Sequence, residues 1–306
     1  MLIQIVLLFI TLLILPAYFI YELWKGKEAS KFKWLMKALY SSAFFLYIFL
    51  AGRWDWLSYY LRFIWVASFA IALILSYRPV HTLPFFAGDR RSEWRSVSSY
   101  GFTLLLFLVF LIVVIRGYFY TEEPVHLTFP LRDGRYYIAH GGNSSLLNHH
   151  NPSPSQKYAL DIVAFNAAGL RTLGVYPSDV NRYVIFSSDI YSPCNGTVIE
   201  AVDGLPDLVP PETDRENLAG NHVVISCNGI NVLLAHIQSG SVAVQVGDMV
   251  TTDQVVGRVG NSGNTSEPHL HIHAVASGSE NVLDGDGVPI LFEDKFPVRN
   301  TVFVMR

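Results

Sequence analysis

Four apolar stretches set the first 120 residues apart from the rest of the chain. Met1–Tyr21 has no charged side chain, Ala38–Gly52 and Phe63–Tyr77 are shorter uncharged runs, and Ser96–Ile115 closes in an unbroken apolar series from Leu104 to Ile115. Crossing a bilayer as helix takes about 20 mostly apolar residues. The first and fourth stretches meet that length. The middle two reach it if Lys37, Arg53 and Arg62 extend toward the headgroups. Trp34, Trp54, Trp56, Tyr59 and Tyr60 are placed to act as interfacial anchors, and Pro16 predicts a kink in the first helix. The first stretch lacks the basic leader and the small-residue cleavage pattern of a signal peptide.

From Thr121 the pattern changes to period two, with Val-rich runs broken by Gly, Pro, Asn and Asp. Gly196–Val202, His222–Ser226, Ile230–His236, Val246–Val250 and Val255–Gly260 read as strands, and Asn228-Gly229 between the second and third of these predicts a tight hairpin. Leu205–Gly220 has no period and reads as an inserted surface loop. The expected fold is a helical membrane anchor of about four transmembrane helices over residues 1–120. It is followed by a mainly antiparallel β domain over 121–306, with its core at roughly 156–280.

Composition sharpens the division. The chain is 51% hydrophobic and 15% charged, well below the charged fraction usual for a soluble protein. Residues 1–120 hold 12 Lys and Arg against 5 Asp and Glu, and residues 121–306 hold 10 against 20. No basic patch lies in the second half, so nucleic acid is not an expected partner; membrane lipid is. Lys25, Lys27, Lys31, Lys33 and Lys37 follow the first stretch, and Arg78, Arg90, Arg91 and Arg95 follow the third, against Arg53, Arg62 and Arg116 on the other side. That bias puts both long loops in the cytoplasm and everything after Arg116 outside it. The predicted location is therefore a multi-pass cytoplasmic (inner) membrane protein with an extracytoplasmic C-terminal domain. Cys194 and Cys227 both lie in that half, where a disulfide and two reduced thiols are equally open readings. The helices themselves read as an anchor.

The sharpest chemical feature is His269-Leu270-His271-Ile272-His273. On a strand, alternate residues share a face, so these imidazoles can present to one side, and neutral imidazole is a common zinc ligand. Taken alone, alternating histidines are also found in exposed clusters without a metal. Here they follow Gly260-Asn-Ser-Gly-Asn-Thr-Ser-Glu-Pro268.

That run through His271 resembles the hallmark of the lysostaphin-like (LytM-type) zinc metallopeptidases. Gly220-Asn-His-Val-Val-Ile225, Leu234-Ala-His-Ile237 and Val246-Gly-Asp-Met-Val250 are similar to the family's upstream motifs. The resemblance covers roughly Tyr158–Ala274 and leaves out the helices. It implies a β peptidase domain with zinc as cofactor and peptides of bacterial peptidoglycan cross-links as substrate. It also implies Asp161 and His271 as metal ligands, and His236 and His269 as the two histidines that assist catalysis. The family's first ligand, four residues before the Asp, is here Lys157, a poor zinc ligand. Two protein ligands hold zinc weakly and catalytic sites use three plus water, so the expected third ligand is His150, with His149 as the alternative and Gln156 as a hydrogen-bonding neighbour. His222 reads as structural, His273 as structural in the first place and otherwise as a support behind the ligands, and His140 as a substrate contact from its Gly-rich loop. His126 and His81 receive no role. No His-Glu-x-x-His helix is present, against a thermolysin-like enzyme. The competing reading is a catalytically inactive module of this fold, acting as a cell-wall binding or regulatory scaffold. A transporter or membrane-signalling protein with an appended sensor is a third, for which the spans offer little.

Overall fold

The computed structural model describes residues 2–26, 28–87, 90–276 and 285–306. Met1, Lys27 and the last part of the expected β core, 277–280, lie outside the described residues. The chain forms two units. The first comprises Met1–Trp54 and Tyr60–Ile115; the second comprises Asp55–Tyr59 and Arg116–Arg306.

Among the described residues four helical segments are long and apolar enough to cross a membrane: Ile3–Trp24, Lys31–Ala51, Leu61–Val80 and Val97–Arg116. The first runs as Leu2–Phe9 (α1), a π-helical turn over Ile10–Ile14, and Leu15–Trp24 (α2). The π turn sits just ahead of Pro16, whose missing N–H interrupts the i→i−4 ladder. Ser30 caps Lys31–Ala51 (α3), its hydroxyl accepting from the Lys33 amide at 3.2 Å. The middle helices, α3 and Leu61–Val80 (α4), are longer than their uncharged runs because cations are built into them. Lys37 has protein partners. It is buried, 3.5 Å from Glu22 and ion-paired with Glu28. Arg62 is likewise buried, its guanidinium 3.9 Å from the Phe49 ring centre. The fifth helix is Arg90–Arg116 (α5).

Two of the expected interfacial anchors have other work. Trp56 and Tyr59 belong to the second unit, where Trp56 stacks on Tyr176 and Tyr59 on Phe165.

The second unit is built on one sheet. Its strands are Gly134–His140 (β2), Leu160–Ala164 (β3), Gly196–Val202 (β5), Asn221–Cys227 (β6), Ile230–Ile237 (β7), Met249–Val250 (β8), Leu270–Ala276 (β10), Gly287–Val288 (β11) and Val302–Met305 (β13). They run in the order β13-β2-β3-β10-β7-β6-β5-β8, with β11 paired to β10, and every pairing is antiparallel. Two small ribbons flank the sheet: Val125–Leu127 (β1) parallel to Ile290–Phe292 (β12), and Asp189–Tyr191 (β4) antiparallel to Val255–Arg258 (β9). Inward residues such as Ile162, Val198, Val223, Ile225, Leu234 and Ile272 form the main core.

The β6–β7 hairpin closes at Asn228 and Gly229, both with positive φ (50° and 85°), the two-residue turn that matches the twist of the strands. Cys194 and Cys227 are joined in a disulfide, tying the approach to β5 onto the end of β6. The 205–220 segment has no regular structure, as expected. It is pinned by Asp207, whose carboxylate accepts from the amides of Ser239 at 3.1 Å and Asn261 at 2.6 Å.

Candidate active site

The register of β3 and β10 sets the centre of the site. Asp161 and His271 are direct cross-strand partners, and both side chains are buried. His271 Nδ1 lies 3.0 Å from Asp161 Oδ1. His150 comes from the turn-rich segment before β3 and places Nε2 3.0 Å from Oδ1 and 3.1 Å from Oδ2 of the same carboxylate. One imidazole from a loop, one from a strand and one carboxylate thus converge, with ligand atoms close enough to share an ion.

Asn148 aims the loop histidine. It is fully buried, its amide nitrogen lies 3.2 Å from the Gly142 carbonyl, 3.3 Å from that of Lys157 and 3.0 Å from that of Ala159, and its oxygen accepts from the His150 amide at 3.1 Å. His149 is turned outward: its side chain is 57% exposed against 14% for His150, and its Nδ1 stands 3.8 Å from Asp161 Oδ2. Lys157 points elsewhere, bonding Glu122 at 2.6 Å, while Gln156 lines the cleft.

Two more histidines face this centre with one nitrogen already committed. His236, at the end of β7, donates Nδ1–H to the Ser262 carbonyl at 2.9 Å. His269 donates Nδ1–H to the Glu267 carbonyl at 2.9 Å and keeps Nε2 3.4 Å from Asp161 Oδ1. Backbone acceptors therefore fix both tautomers and leave Nε2 for proton chemistry. His236 has φ +62°, uncommon for a residue with a side chain. Its amide is bonded to the Ala219 carbonyl at 3.0 Å and its carbonyl accepts from Gly260 at 2.9 Å, which holds the twist. Gly220 is needed here: it has φ +62°, and a Cβ would overlap the Ser262 carbonyl that receives the His236 proton.

The electrostatics follow from burial against charge. Burial alone would raise the Asp161 carboxyl, but the His150 and His269 rings beside it hold it well below the usual carboxylate range. Burial lowers His236 and His271, keeping these rings neutral, the form that offers a lone pair. Burial also works against charge on His269, but the Asp161 carboxylate outweighs it and raises that ring.

His273, expected to be structural or to support a ligand from behind, sits directly behind His271. Its Nδ1 lies 2.9 Å from His271 Nε2, and both rings are buried. For His271 to present a bare Nδ1 to a metal, its proton must reside on Nε2, and His273 Nδ1 is the acceptor in place to receive it. Replacing His273 with Phe, which keeps the ring but removes the acceptor, is expected to weaken zinc binding about 10- to 100-fold. Replacing it with Gln should preserve most of the affinity. Chelator competition measures both, and equal affinity in wild type and the Phe variant would remove this role.

His140, His149 and Asp161 form a second group with atoms close enough to share an ion. His140 pairs across from Asp161 in the β2–β3 register, with Arg299 Nη2 3.2 Å from its Nδ1. His222 lies 2.7 Å from the Gly220 carbonyl and 3.2 Å from Glu200. A cleft of about 260 Å³ opens over the site, lined by His150, His236, His271, Gln156, Leu218 and Asn264. Leu218 comes from the inserted loop, so that loop forms a wall of the cleft. Nothing in the sequence marked Asn148 or the Ser262 and Glu267 carbonyls, because their roles depend on backbone paths.

Residues 184–282 match the family model of peptidase family M23. That segment contains His236, His269 and His271; His150 and Asp161 lie upstream of it. Endolysin 2638A of Staphylococcus phage 2638A is 27% identical over 143 residues, which are 46% of this chain and 24% of the endolysin. The chain thus spans less than a third of that relative's length. Among solved structures, LytU is 18% identical, covering 55% of this chain and 83% of that one, with a TM-score of 0.29. A catalytic-domain variant of the prophage-encoded M23 protein EnpA from Enterococcus faecalis is 27% identical, covering 34% of this chain and 73% of that one, with a TM-score of 0.21. The C-terminal unit carries a peptidase family M23 domain, lysostaphin-like in its motifs.

Proposed function

We propose that this protein is a membrane-anchored zinc endopeptidase that cuts peptide bonds in bacterial peptidoglycan cross-links. The observation that carries this reading is the convergence of His150, Asp161 and His271 on one point, beside two histidines whose Nδ1 protons are tied to carbonyls. Two imidazoles and a carboxylate suit zinc in charge and donor type, and three protein ligands leave a position open. A zinc ion held there supplies Lewis acidity and brings the pKa of a bound water to about 7.

The chain's own groups do the rest. Asp161, kept ionised by its histidine neighbours, offers negative charge to the cation. Nε2 of His236 and of His269 can take a proton from the attacking water, pass it to the leaving amine, or hydrogen-bond the developing oxyanion. The cleft walls of Leu218 and Leu233 orient an extended peptide and thin the water around it.

The location follows from the same reading. Four apolar helices supply the anchor, the loop charges favour an outward C-terminal unit, and the Cys194–Cys227 disulfide suits an oxidising compartment. The scaffold reading loses its main support, because Lys157 is engaged by Glu122 and His150 stands beside Asp161 instead.

The test is hydrolysis of purified peptidoglycan by the full-length protein in detergent. Activity should accompany about one zinc per chain, vanish with a chelator and return with added zinc. Zinc-loaded protein that leaves every cross-link intact would overturn the peptidase reading in favour of a binding scaffold.

A further inference from the structure

His269 is held by a carbonyl, and the residue that owns that carbonyl is fastened to the loop between the second and third candidate spans. Glu267 is buried, and so is Arg171 opposite it. Arg171 Nε lies 3.2 Å and 3.0 Å from the two Glu267 carboxylate oxygens, and its Nη2 donates to Oε2 at 2.6 Å. The other side of the guanidinium meets the loop. Nη1 lies 3.4 Å from the Asp55 carbonyl, and the Trp56 ring centre is 4.4 Å away. Trp56 in turn stacks flat on Tyr176, with centroids 5.3 Å apart and planes 8° apart. The Tyr176 hydroxyl donates to the Ser266 carbonyl. The rest of the loop is tied down as well: Ser58 Oγ bonds the Ala168 carbonyl at 2.8 Å, and the Tyr59 amide bonds that of Gly169 at 2.9 Å. On the site side, the Glu267 carbonyl accepts from Thr265 Oγ1 at 2.8 Å and from His269 Nδ1 at 2.9 Å.

We propose that residues 55–59 act as a positioning clamp for His269, with Trp56 and the Asp55 carbonyl holding Arg171, Arg171 holding Glu267, and Glu267 fixing the histidine. The clamp rests on the peptidase reading only for its effect on rate; its effect on the 264–269 segment stands apart from it. A buried guanidinium-carboxylate pair has one good geometry and tolerates little displacement. Trp56 covers that pair and excludes water from it, so removing the ring loosens the Glu267 carbonyl and, with it, the tautomer and direction of His269. Both ends of the loop continue along the chain into α3 and α4.

The experiment compares wild-type, Trp56→Ala, Trp56→Phe and Tyr176→Phe full-length protein in detergent. It reads amide hydrogen exchange, zinc content, and kcat and KM on a peptidoglycan peptide. Trp56→Ala should speed exchange across 264–269 about tenfold, a local opening against an otherwise protected core. It should lower kcat about 10- to 100-fold with KM and zinc content little changed, as expected for a misplaced catalytic group. Trp56→Phe, which keeps an aromatic cover, should recover most of both. Tyr176→Phe, which keeps the stack and loses one hydrogen bond, should shift exchange in the same segment by a smaller factor. Wild-type exchange at 264–269 in both Trp56→Ala and Tyr176→Phe overturns the clamp. So does exchange raised uniformly over the whole unit with zinc lost, which would mark a general stability role. If the wild type cleaves nothing yet Trp56→Ala still opens this segment alone, the clamp stands and the peptidase reading falls.

Discussion

Replacing His150 with alanine is expected to strip zinc from the full-length protein and to lower peptide hydrolysis about a thousandfold or more. A zinc centre contributes several kcal/mol of transition-state stabilisation, and about 4 kcal/mol is already a factor of a thousand. The specificity of the effect is the sharper part. His149→Ala, one residue away, should keep its zinc, because that side chain is largely exposed and stands 3.8 Å from the far carboxylate oxygen. Lys157→Ala should also keep it, because Lys157 is bonded to Glu122. Metal analysis of the three purified variants gives the answer directly. Zinc retained by His150→Ala and lost from His149→Ala would reverse the assignment of the third ligand.

The second large effect concerns rate without metal. His269→Ala and His236→Ala should each bind zinc as the wild type does and lose about 100- to 10,000-fold in kcat, the range for a positioned acid-base group. The separation from the proposed ligands rests on the motif match, since His236, His269 and His271 also have atoms close enough to share an ion; zinc content therefore decides between the two roles. The double variant should cost less than the product of the singles if the two rings act on one proton path. A variant that loses zinc along with activity would move that histidine from the catalytic pair to the coordination sphere.

Much of this centre was legible in the chain, for reasons that can be named. A period-two pattern fixes which strand residues share a face, so His269, His271 and His273 could be grouped before any coordinates. Asn228-Gly229 marks a turn in which both residues need positive φ, and the structure has them at 50° and 85°. The pairing of Asp161 with His271 was reachable only through motif resemblance, because cross-strand register between β3 and β10 leaves no local trace. The preference for His150 over His149 had little to rest on in the chain: the two are adjacent and identical in type, and the buried Asn148 beside them acts through carbonyls of Gly142, Lys157 and Ala159. The partners of Lys37 and Arg62, the Glu28 carboxylate and the Phe49 ring, were not legible, because the contacts depend on how the helices pack. The disulfide stayed open for a similar reason, since it joins residues 33 apart through strand pairing. Trp56 and Tyr59 have the composition of a membrane border, and only the fold shows them packed on Tyr176 and Phe165.

The inclusion of Asp55–Tyr59 in the second unit bears on how the protein is prepared for assay. A soluble fragment trimmed after the last long helix has the proposed metal ligands and both proposed acid-base histidines, yet lacks five residues of its own unit. Its Arg171 and Tyr176 would face bulk water on the side that Trp56 covers in the intact chain. Rates from such a fragment would set a floor for the whole molecule, and grafting the missing pentapeptide back through a linker should lift them.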